Sequence, residues 1–103
     1  MIVMRNIFQA QFGRGGELAR LMAQQLTQAG PLIGGRWRLL TDLGSGPFDT
    51  VVMEVEVASL AALEEQRARL FADPQFGAAM AATAPLMQSG RAELYTLEAH
   101  GGA

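Results

Sequence analysis

Cysteine and lysine are both missing from the sequence, and there is a single histidine. Without cysteine there is no disulfide, no thiolate nucleophile and no zinc–thiolate site. Without lysine, Schiff-base chemistry has no amine to use. The one histidine, His100, stands beside the terminal Gly-Gly-Ala. One chain therefore cannot assemble a multi-histidine metal site, and a Ser-His-Asp triad would have to borrow a tail residue. Positive charge is scarce too. All eight basic residues are arginine and the net charge is −2, so there is no basic field for nucleic acid. No apolar run is long enough to span a bilayer, and residues 1–8 are too short and too broken by Arg5 and Asn6 to be a signal peptide. These absences lead us to expect a cytoplasmic protein with no metal, no cofactor, and neither nucleic acid nor membrane as a partner.

Apolar surface is abundant. Half of the 103 residues are hydrophobic and only 17% are charged. The length is that of one domain. Its apolar load is heavy for so small a surface, which predicts pairing with a second copy. We expect the domain to occupy residues 1–98, with a flexible tail over 99–103.

The most strongly patterned stretch is DTVVMEVEVASLAALEEQRARLFADPQF, residues 49–76. Period-two alternation over 50–57 predicts a strand, with Val51, Met53, Val55 and Val57 on one face and Glu54 and Glu56 on the other. Ser59 is placed to cap a helix whose apolar stripe is Leu60, Leu63, Leu70 and Phe71. Glu64–Arg67 and Glu65–Arg69 have ion-pair spacing on its outer side. Asp73-Pro74 supplies an N-cap and a first-turn proline, so the helix continues as a second piece with Phe76, Met80 and Ala84 inward. Upstream, residues 2–12 alternate as a strand and Gly13-Arg14-Gly15-Gly16 breaks it. Residues 17–29 have helical periodicity, with Gly30-Pro31 as the stop. Residues 36–43 and 91–98 complete the set. The Gly-rich break is a strand-to-helix turn, with anion binding through its free N–H groups as the alternative.

The order is β-α-β-β-α-β, which predicts an α+β, ferredoxin-like domain with a four-stranded antiparallel sheet and the second helix in two pieces. Helices cover one sheet face. The other carries Arg5, Arg36, Arg38, Glu54, Glu56, Glu93 and Tyr95 among apolar residues. It is expected to pair with a copy of itself, Arg meeting Glu, giving a homodimer through the face bearing Arg5, Arg38, Glu54, Glu56 and Tyr95.

Asn6, the one asparagine, falls on the helix-facing side of an apolar strand. A lone amide there either finds backbone or water partners, or orients a ligand. Trp37 shares that side, and with Phe8, Phe12, Leu39, Met53, Phe71, Phe76 and Met80 would line the space between helices and sheet. This set is either plain core or the wall of a pocket. Gly77, Ala78, Ala79, Ala81 and Ala82 fill little volume, so they either leave room or let the helix pack close. Asn6 and Trp37 are the candidate catalytic residues, and Thr41 and Thr96 are further polar contacts.

The element order, together with SLAALEEQRARLFADPQFGA, resembles the dimeric α+β barrel superfamily, in particular NIPSNAP-like and antibiotic-biosynthesis-monooxygenase-like proteins. The shared feature is a Leu-x-x-Leu-Glu-x-x-Arg-x-x-Leu helix followed by Asp-Pro-x-Phe. The resemblance implies a homodimer with a ligand cavity between helices and sheet in each subunit. It also implies a cofactor-independent monooxygenase or isomerase acting on a small aromatic or enolisable compound, or else a non-catalytic ligand-binding or protein-interaction domain. Some members use a first-strand Asn, matched by Asn6, with a Trp and a His near the second helix. This chain has neither between Ser59 and Gly90, which argues against haem degradation.

Overall fold

The structure is a computed structural model and describes residues 1–102. The elements run β1 (Ile2–Ala10), α1 (Gly15–Ile33), β2 (Arg36–Thr41), β3 (Thr50–Val57), α2 (Leu60–Ala72), α3 (Pro74–Thr83), a short 3-10 turn (Ala84–Leu86) and β4 (Met87–Thr96). The strands form one antiparallel sheet in the order β2-β3-β1-β4. This is the ferredoxin-like α+β arrangement that the alternation predicts. Of the tail, Ala103 lies outside the described residues. No helix among the described residues is long and apolar enough to cross a membrane.

Register divides the sheet into two unlike faces. Met4, Asn6 and Phe8 of β1 stand opposite Val55, Met53 and Val51 of β3 on the helix side. Arg5 stands opposite Glu54 on the other side. A one-residue slip would exchange the two sets, so the apolar pattern pins the register. The core forms two clusters under the helices. One gathers Leu26, Ile33, Met4, Val55 and Leu63. The other gathers Leu18, Met22, Val51, Ala10 and Leu86.

Several boundaries depart from the sequence expectation, each because a tertiary partner overrides a local signal. Helix α1 does not stop at Gly30-Pro31 but continues to Ile33. Ile33 is buried in the first core cluster, and its carbonyl accepts a hydrogen bond from Gln66 Nε2 at 2.6 Å, which holds the last turn. The stop is Gly34, left-handed at φ 68°. At Gly35 a Cβ would lie 2.1 Å from the Glu56 carbonyl oxygen, so only glycine lets the chain enter β2 this close to β3. Strand β4 starts at Met87, well before Arg91, because β1 offers it a partner along its full length, with a bulge at Gln9/Ala10. Strand β1 ends at Ala10, which leaves Phe12 86% exposed rather than under the helices. In α2, Leu63 is buried but Leu60 and Phe71 are exposed, and Gln66 takes a place in the inner stripe. The Glu64–Arg67 and Glu65–Arg69 pairs do not form; Arg69 instead donates from Nε to the Leu32 carbonyl at 3.2 Å. In α3, Met80 is exposed and Thr83 is the buried residue, and Ala84, the first residue of the 3-10 turn, is exposed.

The caps behave as the sequence predicts. Ser59 Oγ accepts from Ala62 N–H at 3.1 Å and Asp73 Oδ1 from Gln75 N–H at 3.1 Å. The Gly13–Gly16 break is already occupied. Asp49, itself at φ 61°, accepts from the N–H groups of Gly13 at 2.8 Å and Gly15 at 3.0 Å. The β2–β3 hairpin is thereby tied to the start of α1, and the anion this helix terminus favours is the chain's own carboxylate.

Candidate functional site

Helix α3 is built largely from alanine and glycine, and such short side chains do not reach the sheet. The space below it stays open. A cavity of about 390 Å³ lies between the sheet and the three helices. That is at the small end of the roughly 300–1,000 Å³ usual for small-molecule sites. Strands β1 and β3 supply its floor through Met4, Asn6, Phe8, Met53 and Val55. Helix α1 supplies Met22, Gln25 and Leu26; α2 supplies Gln66, Arg67, Leu70 and Phe71; α3 supplies Phe76, Met80 and Thr83. With Met87, five of the six methionines in the chain line this one cavity. Methionine is unbranched and polarizable, so such a wall can mould to ligands of different outline.

The polar groups in the wall divide into those that hold it and those left free. Gln66 Nε2 ties α2 to the end of α1 through Ile33, and Gln25 Nε2 ties α1 to α3 by donating to the Ala79 carbonyl at 2.9 Å. The Thr83 hydroxyl donates to the Met80 carbonyl at 3.0 Å. Among the described residues the Asn6 amide has no protein partner, and no buried side-chain nitrogen or oxygen is orphaned. The amide therefore touches the open space of the cavity, where a ligand or water meets its hydrogen-bonding need. Arg67 is the one charged side chain in the wall, and no Asp or Glu lines it. Phe71 and Phe76 meet edge to face across the α2–α3 break, centroids 5.8 Å apart and planes at 81°.

Of the residues singled out in the sequence, Asn6, Phe8, Met53, Phe71, Phe76 and Met80 come together here. Trp37, Leu39, Thr41 and Thr96 do not line the cavity. Trp37 and Leu39 stand opposite Val55 and Met53, but on β2, the far edge of the sheet, where they pack into the core clusters. Thr41 lies at a separate hairpin depression with Phe48 and Asp49. Thr96 sits exposed at the end of β4, opposite Ile2. The expected pairing of Trp37 with Asn6 is thus corrected by strand order. Gln25, Gln66, Arg67 and the methionine set were missed. Gln66 was detectable as a polar residue at stripe spacing between Leu63 and Leu70, whereas Arg67 was hidden by its apparent match to Glu64. Among the described residues no three His, Cys, Asp or Glu side chains converge as metal ligands.

The opposite face is organised by charge. Arg5 donates to Glu54 Oε2 from Nε at 2.8 Å and Nη2 at 2.5 Å. Arg38 grips Oε1 of the same carboxylate from the neighbouring strand. Hydrogen bonds from Arg38 hold the Glu54 carboxyl below the usual carboxylate range; burial opposes this and Arg5 reinforces it. The same pairing raises Arg38. Tyr95 donates to Glu93 Oε1 at 2.8 Å, which lowers the Glu93 carboxyl and raises the Tyr95 phenol. The Arg5 guanidinium lies 5.5 Å from the Tyr95 ring centre. Glu54 is thus neutralised within one chain, whereas Arg36 and Glu56, directly opposite in register, form no ion pair among the described residues.

No family model matches the sequence, and no curated relative matches it. Solved structures do match. A NIPSNAP family protein from Agrobacterium tumefaciens strain C58 superposes with a TM-score of 0.83 at 22% identity, covering 92% of this chain and 90% of that one. A NIPSNAP domain protein from Burkholderia xenovorans covers 100% of both chains at 22% identity and a TM-score of 0.79. SnoaB, a cofactor-independent oxygenase from Streptomyces nogalater, matches at 19% identity and a TM-score of 0.71, over 96% of this chain and 94% of its own. The chain has the fold shared by NIPSNAP proteins and antibiotic-biosynthesis-monooxygenase-like proteins, the groups that its second-helix motif resembles.

Proposed function

We propose that this protein binds a small aromatic or enolisable compound in the cavity between helices and sheet, with Asn6 as the orienting contact. The observation that carries this reading is the free Asn6 amide in a methionine- and phenylalanine-lined space of about 390 Å³. An unpaired amide in an apolar wall favours a ligand that returns its hydrogen bonds and fills the rest with ring or hydrocarbon. A pocket kept only as a packing fault would not need this polar group. The direct test is calorimetric titration with 1-naphthol, whose hydroxyl can meet the amide. Binding that weakens several-fold in Asn6→Ala supports the reading, and no heat of binding removes it.

A second reading is catalytic, and the likeness to SnoaB favours it. The cavity wall has no carboxylate, imidazole or phenol to act as a general base. A cofactor-independent oxygenase built on it would need a substrate acidic enough to ionise itself. That substrate would supply the electrons to dioxygen while Asn6 held its oxyanion and the wall excluded water. Oxygen uptake with quinols, lost in Asn6→Ala, separates this from plain binding. In the same reading the charged sheet face pairs with a second copy. Arg36 and Glu56 have no partner there, and Val3, Ile7 and Val52 lie among the charges. A solution mass of one chain at all concentrations would contradict the dimer.

A further inference from the structure

The cavity has one electrical asymmetry. Among the described residues its only charged group is Arg67, and no carboxylate shares the wall. Four arginines of the chain, Arg5, Arg14, Arg38 and Arg91, are paired with glutamates. Arg69 donates to the Leu32 carbonyl. Among the described residues Arg67 has no such partner, although Glu64 stands three residues before it on α2, a spacing at which the pair could form. Arg20 and Arg36 are unpaired as well, but neither lines the cavity. Arg67 is exposed, so it stands where the cavity opens to solvent. Phe71, four residues on, lies on the same side of α2, is 66% exposed, and meets Phe76 edge to face. A guanidinium and an aromatic surface therefore stand side by side at the opening, while the free Asn6 amide waits on the sheet.

Building on the binding reading above, we infer that the natural ligand is an aromatic carboxylate. Its carboxylate rests on Arg67, its ring packs against Phe71, Phe76 and the methionines, and a hydroxyl or carbonyl reaches Asn6. The physical reasons are specific. An anion at the opening keeps part of its hydration, so pairing with a guanidinium is not cancelled by desolvation, and the planar fork of Arg accepts a carboxylate through two hydrogen bonds. The phenylalanine pair and the methionine sulfurs both favour a ring over a saturated chain. A cation at this opening would meet repulsion from Arg67 and no acid in the cavity wall.

The test is calorimetric titration of the full chain with 1-naphthoate and with its neutral counterpart 1-naphthamide, in wild type and in Arg67→Gln. Wild type is expected to bind naphthoate about fivefold to tenfold more tightly than naphthamide at low salt, with the gap narrowing in 0.5 M salt. Arg67→Gln should close that gap by weakening naphthoate alone, and Arg67→Lys should restore part of it. The side chain is exposed, so unchanged thermal melts are expected for both variants. Equal binding of the two probes to wild type overturns the inference and leaves the pocket reading standing. Equal weakening of both probes by Arg67→Gln would mean that the arginine stem packs rather than pairs, and also overturns it. Octanoate binding more tightly than naphthoate overturns the aromatic part. If neither naphthoate nor naphthamide binds, the inference and the pocket reading fall together.

Discussion

The two faces of this sheet use the same alternation to opposite ends. On the open face, a buried carboxylate, Glu54, is gripped from both sides by Arg5 and Arg38 through charge and hydrogen bonds. On the helix-covered face, apolar residues carry the stability, yet a third helix poor in side-chain volume leaves about 390 Å³ unfilled. On the covered face the fold and the ligand space share residues: Met4, Leu26, Ile33 and Val55 belong to the first core cluster and also line the cavity. Two of the three almost wholly buried large side chains, Leu18 and Val51, sit in the second core cluster away from the cavity, and the third, Gln66, is part of its wall. Others that line it, such as Phe71 and Met80, remain substantially exposed.

Substitutions on the two faces should differ in their cost. The largest effect is expected at Leu18, which is 0% exposed. Leu18→Ala should cost about 3 kcal/mol in urea unfolding, since it opens a void where nothing can collapse. Next is Gln66→Ala, which removes the 2.6 Å bond to the Ile33 carbonyl and should cost about 2 kcal/mol. A loss as small as that of a surface substitution would show that the α1–α2 tie is not structural. Third is Glu54→Gln on the open face, expected to cost about 1 kcal/mol at pH 7, because the two arginines it releases can turn to water.

The pH dependence of that third substitution has a definite sign. The folded Glu54 carboxyl titrates below its unfolded value of about 4.3. Its contribution is therefore complete above about pH 5 and fades as pH falls through the lowered folded value. Melts between pH 7 and pH 3 should show the gap between wild type and Glu54→Gln narrowing in acid, and a gap at pH 3 as wide as at pH 7 would contradict the clamp. The smallest stability effect, within about 0.5 kcal/mol, is expected for Phe71→Ala, because the ring is 66% exposed. The same variant should still weaken aromatic ligands several-fold by calorimetry. A large stability loss would make Phe71 a core residue rather than part of the cavity opening.

Much of the architecture was legible in the residues. Strand β3 and both caps around α2 and α3 follow from alternation, Ser59 and Asp73-Pro74, all of which are local signals. The misplaced ends have a common cause. Gly30-Pro31 looks terminal until Ile33 finds its core contacts and Gln66, and the last strand looks to begin at Arg91 until β1 pairs with residues from Met87 on. Tertiary partners of that kind leave no local mark. The site was half legible. Asn6 stood out as a lone amide on an apolar face, and the small residues of α3 left room open as one of two outcomes. Trp37 was misjudged because alternation fixes a face but not a position across the sheet; the order β2-β3-β1-β4 moves it to the far edge. Arg67 was obscured by an ion pair that helix spacing permits and the structure does not make.

The claim on which everything else rests is that the cavity admits a small aromatic molecule, and the chain contains its own reporters. Met4, Met22, Met53, Met80 and Met87 line the cavity, and Met1, 55% exposed, lies apart from it. Methyl NMR of protein labelled at methionine, titrated with 1-naphthol, should move the first five resonances along saturating curves and leave Met1 in place. If those five stay still at millimolar ligand, or if Met1 moves with them, the cavity is not a binding site.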